Sequence, residues 1–176
     1  MKIVAYGASY SKESINRKFA TFAASMFENG DVEVLDLNDY PLPLFTVDLE
    51  KEIGHPKEAI AFTEKLAEAD LLVISMSEHN GNHTAAYKNL FDWVSRYSPK
   101  AFLNKKIFLI STSPGGRGGK SSLEIAKERL PRHGGEVIAT FSLPNFESNF
   151  SVEKGIIDED LKTQFMEAVS LVKAQI

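Results

Sequence analysis

The sequence contains no cysteine. This absence excludes disulfides, thiolate zinc sites, iron–sulfur clusters and cysteine nucleophiles, and it agrees with a reducing compartment. Long apolar segments are absent too, because the amino-terminal run is about five residues, far shorter than a signal-peptide core or a spanning helix. We therefore expect a cytoplasmic protein that does not enter membranes and takes any redox chemistry from a bound cofactor.

An excess of positive charge is also missing. The 20 Lys and Arg residues are outnumbered by 24 Asp and Glu residues, which gives a net charge of -4, and the basic residues are dispersed. Because nucleic-acid backbones are bound by clustered Lys and Arg, we expect no nucleic-acid partner. The 176 residues, 43% of them hydrophobic, suit a single domain over residues 1–176.

Short apolar runs rich in β-branched residues alternate with longer segments of helical period, as is typical of βαβ units. The predicted strands are residues 2–6, 32–37, 71–76, 106–112 and 136–143. The predicted helices are roughly residues 15–28, 56–68, 85–97, 121–133 and 158–174, with Asn29-Gly30 ending the first, and irregular stretches are predicted at 38–54 and 144–155. Five parallel strands with helices on both faces predict a flavodoxin-like three-layer α/β sandwich of strand order 2-1-3-4-5.

Ligands of such sheets bind beyond the carboxyl ends of the strands, so the loops after the first, third and fourth strands are the candidate site. The first loop, residues 7–17, holds three hydroxyls, an amide and two basic groups just before a helix. Free amides at a helix start attract anions, so this loop is typical of a phosphate site. The alternative is that Ser14 simply caps the helix.

The second loop, residues 77–84, is dense in polar groups. Asn80-Gly81 predicts a turn, and Thr84 predicts the N-cap of the next helix. His79 and His83 are the alternative metal ligands, but no cysteine or further histidine lies nearby, which disfavours a metal site. We interpret His55 and His133 as surface residues.

The third loop, residues 111–121, has four glycines within positions 115–119. Glycines let the backbone approach a ligand closely and expose its N–H groups. The loop also resembles the end of a P-loop, but Pro114 stands where that motif needs glycine, and Ser121 breaks a dinucleotide fingerprint. A merely flexible loop is the remaining alternative.

Two motifs resemble those of the NAD(P)H-dependent FMN reductase family, a flavodoxin-like group that includes quinone, chromate and azo-dye reductases. The family's Gly-Ser-x-Arg-x-x-Ser-x-Asn loop around the FMN phosphate matches Ser9, Ser14 and Asn16. Ser11 replaces the arginine, and Lys12 and Arg17 lie close enough in sequence to supply the charge. The family's Thr-Pro-Glu-Tyr-Asn-Gly and Leu-Lys-Asn-x-x-Asp-Trp segments correspond to residues 76–81 and 87–93.

This second match keeps the glutamate, asparagine and glycine of the family, but Ser77 replaces its proline and His79 its tyrosine. Flavin tuning and substrate contacts are therefore expected to differ from those of other members. Lys88 and Asp92 are expected to form an exposed ion pair and Trp93 to pack in the core, so Asp92 and Trp93 are left out of the site.

The resemblance implies an enzyme that binds FMN, takes a hydride from NADPH or NADH and passes electrons to a small acceptor such as a quinone, free flavin or azo compound. It further implies a homodimer. No catalytic side chain and no metal are expected, because the flavin carries the chemistry. The implied cofactor contacts are Ser9, Ser11, Ser14, Ile15, Asn16, Ser77, Glu78, His79, Asn80, Gly81, Ser113, Pro114, Gly115, Gly116, Arg117 and Gly118.

Two alternatives share the same fold. A non-enzymatic flavodoxin-type electron carrier would bind flavin without oxidising NAD(P)H, but the mild net charge disfavours it, since such carriers usually dock through strongly acidic surfaces. A cofactor-free binding module is favoured only by the serine at the arginine position.

Overall fold

A computed structural model describes residues 1–28 and 30–176, so the predicted helix stop at Asn29 lies outside the described residues. These residues form nine strands and seven α-helices. In chain order they are β1 (Lys2–Gly7), α1 (Ile15–Ser25), β2 (Asp31–Leu35), α2 (Val47–Ile53), α3 (Lys57–Glu68), β3 (Leu71–Met76), β4 (Glu78–His79), β5 (Asn82–His83), α4 (Ala85–Tyr97), β6 (Lys106–Thr112), α5 (Lys120–Arg129), β7 (Glu136–Leu143), α6 (Phe146–Asn149), β8 (Phe150–Ser151), β9 (Gly155–Ile156) and α7 (Glu159–Lys173).

The five long strands form one parallel sheet in the order β2-β1-β3-β6-β7, which confirms the predicted order 2-1-3-4-5. Side chains alternate across it, so Ile3 and Ala5 face one layer of helices while Val4 and Tyr6 face the other. The central strand β3 is buried at every position because helices cover both of its faces. The carboxyl ends of β1, β3 and β6 therefore meet at one edge of the sheet.

The two helical layers have different chemistry. The α1 and α7 face is filled with phenylalanine rings, such as Phe19 and Phe165 with centroids 5.9 Å apart. The face covered by α3, α4 and α5 includes Tyr6 and Tyr87, whose buried hydroxyls have no hydrogen-bond partner within the described residues. Burial raises the pKa of Tyr87 to about 12 and that of Tyr6 well above its ordinary value. Both phenols therefore stay neutral at physiological pH.

The segment predicted as irregular before α3 contains a helix, α2. Thr46 caps it by accepting a hydrogen bond from the Leu49 N–H at 3.0 Å, and Gly54 ends it at a φ of +70°. None of the α2 residues is buried, so the helix has no apolar stripe by which the sequence reveals it. The second strand also ends earlier than predicted, at Leu35, because Asp36 starts a 3-10 turn by accepting from the Asn38 N–H.

The irregular segment predicted after β7 holds the short helix α6 and the β8–β9 hairpin, elements too brief for a periodic signal. His133, which we interpreted as a surface residue, keeps part of its surface exposed and also contacts the protein. This side chain is half-buried, donates to the Pro99 carbonyl at 3.0 Å and packs edge-on against Phe91 at 4.8 Å. No helix of residues 1–28 and 30–176 combines the length and apolarity needed to cross a membrane.

Candidate functional site

A cavity of about 250 Å³ lies at the carboxyl edge of the sheet, where the loops after β1, β3 and β6 meet. Each of the three predicted loops contributes to its wall. The predicted contacts that line it are Ser9, Ser11, Ser14, Ile15, Asn16, Ser77, Glu78, His79, Ser113 and Pro114, and two residues that the sequence did not mark, Glu13 and Thr112, line it as well. The predicted convergence of the three loops is therefore present in the structure.

The first loop offers neutral hydrogen-bond donors to this cavity. Ser14 caps α1 by accepting from the Arg17 N–H at 3.1 Å, as the capping interpretation predicted. The N–H groups of Ile15 and Asn16 follow it, and neither has an acceptor among the described residues. Capping and anion binding are therefore compatible, because the cap engages only one amide of the helix start.

Asn16 lines the cavity, yet its amide is engaged with the protein. Its Oδ1 accepts from the Ser75 hydroxyl at 2.7 Å and from the Thr112 N–H at 3.0 Å, while its Nδ2 donates to the Thr112 carbonyl at 3.0 Å. The side chain is only 3% exposed. Asn16 thus joins α1 to the ends of β3 and β6, and any contact it makes with a ligand falls to its backbone N–H or its remaining amide hydrogen.

Arg17, which lies close enough in sequence to replace the missing arginine of the first loop, is engaged with other groups of the protein. Its guanidinium pairs with Asp36 and donates to the Lys12 carbonyl at 2.7 Å. Asp36 is itself fixed, since it accepts from both the backbone and the side chain of Asn38. Within the described residues, no Lys or Arg lines the cavity.

The second loop is a two-stranded hairpin, β4–β5, with Asn80 and Gly81 at its tip. Both have positive φ, 53° and 74°, which is the backbone of a type I′ turn and confirms the predicted turn. Thr84 caps α4 by accepting from the Tyr87 N–H at 3.2 Å and donates its hydroxyl to the Ala8 carbonyl at 3.0 Å. The predicted cap therefore also ties the second loop to the first.

The hairpin is also attached to α5. Glu78 accepts from the Ser122 N–H at 3.1 Å, and the Ser122 hydroxyl lies 2.7 Å from Nδ1 of His83. Burial, together with nearby Lys88, lowers the pKa of His83, so the ring is neutral at physiological pH. His83 is thus engaged with the protein, and the described residues contain no cluster of three groups able to hold a metal ion.

The glycines of the third loop have two different roles. Gly118 has a φ of +61°, and a Cβ there would lie 2.4 Å from the Ser142 hydroxyl, so its lack of a side chain is required by packing against β7. Gly119, at a φ of +75°, is the left-handed residue before α5. In contrast, Gly115 and Gly116 are exposed, and a Cβ at either would meet no atom closer than 3.8 Å.

Six predicted contacts flank the cavity without lining it. Most of them lie at the exposed tips of the second and third loops, and one lies at the packed end of the third. They are Asn80, Gly81, Gly115, Gly116, Arg117 and Gly118. The Arg117 guanidinium donates to the Ser121 hydroxyl at 2.9 Å, along the outside of α5.

Comparison with known proteins adds to this geometry. Residues 1–148 match the profile of the NADPH-dependent FMN reductase family. The chain belongs to this family. The resemblance inferred from the two motifs is thereby confirmed.

Curated relatives of this FMN reductase family member are moderately similar to it. It is 30% identical over 129 residues to an NADPH:quinone oxidoreductase of Arabidopsis thaliana, a match that covers 71% of this chain and 64% of the plant protein. It is also 30% identical over 153 residues to an uncharacterised protein of Mycoplasma pneumoniae, which covers 84% of this chain and 90% of that protein. The match thus spans less than two thirds of the plant relative.

Solved structures share the fold of this family member. A flavoenzyme NAD(P)H:(acceptor) oxidoreductase from Paracoccus denitrificans superposes with a TM-score of 0.73 at 21% identity, covering 98% of this chain and 97% of that one. An azoreductase from Bacillus anthracis gives a TM-score of 0.62 at 17% identity, covering 97% and 98%. These likenesses confirm the flavodoxin-like architecture.

The family's Lys-Asn-x-x-Asp-Trp motif is structural in this chain. The indole N–H of Trp93, fully buried, donates to the Pro43 carbonyl at 2.8 Å. Asn89 accepts from the Phe45 N–H at 2.8 Å and donates to the same Pro43 carbonyl at 3.0 Å. These bonds fasten the segment before α2 onto α4. Lys88 and Asp92 form the expected exposed ion pair, at 2.5 Å.

Proposed function

We propose that this protein is an FMN-dependent oxidoreductase that takes a hydride from NADPH or NADH and passes the electrons to a small acceptor such as a quinone, a free flavin or an azo compound. The observation that carries the proposal is the single cavity to which the loops after β1, β3 and β6 all contribute. Family membership supports FMN as the cofactor. The cavity wall contains Ser9, Ser14 and Asn16 of the first family motif and Glu78 of the second.

The donor set of the cavity fits the phosphate of FMN. The free N–H groups of Ile15 and Asn16 at the start of α1 supply partial positive charge, and the hydroxyls of Ser9, Ser11 and Ser14 can donate to phosphate oxygens. Asn16 would serve through its backbone, and its side chain would keep the surrounding loops in place. Phosphate binding here would depend on neutral groups.

The exposed tips of the second and third loops fit the flavin ring. The N–H groups of Gly115 and Gly116 have no acceptor within the described residues, and the glycines leave space for a flat ligand. Such backbone donors would stabilise negative charge on a reduced ring. When bound, FMN supplies the redox chemistry, accepting two electrons and a proton as hydride and returning them to the acceptor.

The chain itself need not supply an acid, base or nucleophile for this chemistry. Its contribution would be to bind and orient the two substrates at the exposed side of the site. His79 is exposed at the cavity rim, where it would contact the nicotinamide or the acceptor. We therefore propose only binding roles for the side chains around the cavity.

Three further features belong to the proposal. A single domain over residues 1–176 would be cytoplasmic and would form a homodimer, as the resemblance to the family implies. Sedimentation velocity of the purified protein with and without FMN tests the dimer. A single species of monomer mass at all concentrations would contradict it.

The function is tested by adding FMN to the purified protein and following the NAD(P)H absorbance band with a quinone as acceptor. We expect FMN-dependent NAD(P)H oxidation. The Ser9→Leu variant, which fills the cavity wall, should lose FMN binding, while Ser25→Leu, at the far end of α1, should keep it. FMN binding without turnover would favour the electron carrier, and no FMN binding would favour a cofactor-free module.

A further inference from the structure

Ser122 is a buried residue of α5 that belongs to neither family motif. It makes two hydrogen bonds to the β4–β5 hairpin, one through its N–H to Glu78 at 3.1 Å and one between its hydroxyl and His83 Nδ1 at 2.7 Å. Glu78 and His83 are directly opposite each other in the hairpin. Ser122 therefore holds both strands of the second loop at one point.

This attachment is one of three that join the loops pairwise. Asn16 joins the first loop to the start of the third through Thr112, and Thr84 joins the second loop to the first through the Ala8 carbonyl. Ser122 completes the set by joining the second loop to the helix that follows the third. All of these bonds link groups of the protein itself, so they hold the three loops together around the cavity.

The β4–β5 hairpin depends on these attachments more than the other two loops do. A two-stranded hairpin of four paired residues has little stability of its own, and its side chains are mostly exposed. Its position relative to the third loop therefore depends on Ser122. A site that is already formed loses less conformational entropy when it binds a ligand, which is expressed as affinity.

We propose that Ser122 and His83 are positioning residues of the flavin site, which fix Glu78 and the hairpin tip against the third loop. This inference rests on the proposed flavin binding. Neither side chain touches the flavin in this account, because Ser122 is fully buried and His83 is turned to α5. Their contribution reaches the ligand through the cavity wall at Glu78.

The inference predicts coupling between the two residues. Ser122→Ala and His83→Leu should each weaken binding of FMN by about tenfold, which corresponds to one hydrogen bond of about 1.4 kcal/mol. Riboflavin, which lacks the phosphate, should be weakened by the same factor, since the hairpin lies at the ring side. The double variant should be no weaker than either single variant, because both remove the same bond.

The test is a fluorescence titration of FMN and riboflavin against the wild type, both single variants, the double variant and Ser170→Ala, a matched control on the outer helix α7. Hydrogen exchange of the flavin-free protein provides the second readout, with faster exchange expected for residues 78–83 in Ser122→Ala. The inference would be overturned if the single variants bound FMN as tightly as the wild type, or if they lost affinity for FMN but not for riboflavin. It would also be overturned if the losses of the two single variants added up in the double variant. If the wild type binds no flavin, the proposed function itself fails.

Discussion

The loops after β1 and β6 reach the same cavity by different means. The first presents side-chain hydroxyls and helix amides, and it is held in place by a buried asparagine with three internal hydrogen bonds. The third lines the cavity with Ser113 and Pro114 and presents bare backbone beside it at Gly115 and Gly116. Its other two glycines are packed against the sheet. The first loop therefore offers side-chain and helix-end donors, whereas the third offers exposed backbone N–H groups.

This difference separates residues that hold the site from residues that would touch the ligand. In the first loop, Asn16 and Arg17 carry the most polar atoms, yet both are directed toward the protein. In the third loop, Gly118 and Gly119 have positive φ, but they are needed where the loop packs on the sheet and leave no surface for a ligand. The groups left for a ligand are the serine hydroxyls and helix amides of the first loop and the exposed glycines of the third. The following substitutions test this separation between residues that hold the site and residues that would touch the ligand.

The largest effect is expected for Asn16→Ala. It leaves the Ser75 hydroxyl and both backbone groups of Thr112 without their partner, so the free energy of unfolding should fall by about 3 kcal/mol. Urea denaturation measures this. Asn149→Ala, which removes a single bond to the Pro144 carbonyl, is the matched control and should cost about 1 kcal/mol. Equal losses in the two variants would show that Asn16 does not join the strands.

A smaller loss of stability is expected when alanine replaces a packed glycine of the third loop, and almost none when it replaces an exposed one. Gly118→Ala forces a Cβ against Ser142 in a left-handed conformation and should reduce stability by about 2 kcal/mol. Gly116→Ala should change stability by less than about 0.5 kcal/mol while weakening FMN binding. Thermal unfolding and flavin titration separate the two outcomes. A destabilised Gly116→Ala variant with normal affinity would reverse the assignment.

Ser11→Arg should strengthen FMN binding without affecting riboflavin. It restores a guanidinium to a cavity where no cation lines the wall among the described residues, and a charge-assisted bond to phosphate is worth about tenfold in affinity. Ser11→Gln, of similar reach but neutral, is the control. If the arginine tightens riboflavin as much as FMN, the phosphate does not lie at the first loop.

The smallest effect is expected for Arg17→Ala. Its guanidinium is engaged by Asp36 and by the Lys12 carbonyl, so the ratio of FMN to riboflavin affinity should change by less than about twofold. Calorimetric titration of both flavins gives the ratio. A selective loss of FMN affinity would mean that the arginine leaves Asp36 when the phosphate binds.

Much of this arrangement was predictable from periodicity. The strands 71–76 and 106–112 are strong signals because they are buried in the middle of a parallel sheet. The edge strand 136–143 is only partly buried, and the boundaries of all three agree with the structure. The strand order then places three polar loops at one edge. Helix α2 was not predicted, because all of its residues are at least partly exposed and no apolar stripe marks it in the sequence.

Within the site, the sequence predicts which loops meet but not where each side chain is directed. Arg17 was a reasonable source of charge by proximity, yet Asp36 lies nineteen positions away and competes for it. Ser122 could not be recognised because its partners, Glu78 and His83, are distant in sequence and the bonds exist only once α5 packs on the sheet. Contacts between residues that are distant in sequence leave no pattern in the local sequence from which they could be predicted.

The most direct test of the three-loop site is to follow the backbone amide resonances of the protein during titration with FMN. We predict the largest shifts at Ile15 and Asn16, at Glu78 to Gly81, and at Gly115 and Gly116, with little change in the outer helix α7. Shifts confined to one loop, or located elsewhere on the molecule, would contradict the account.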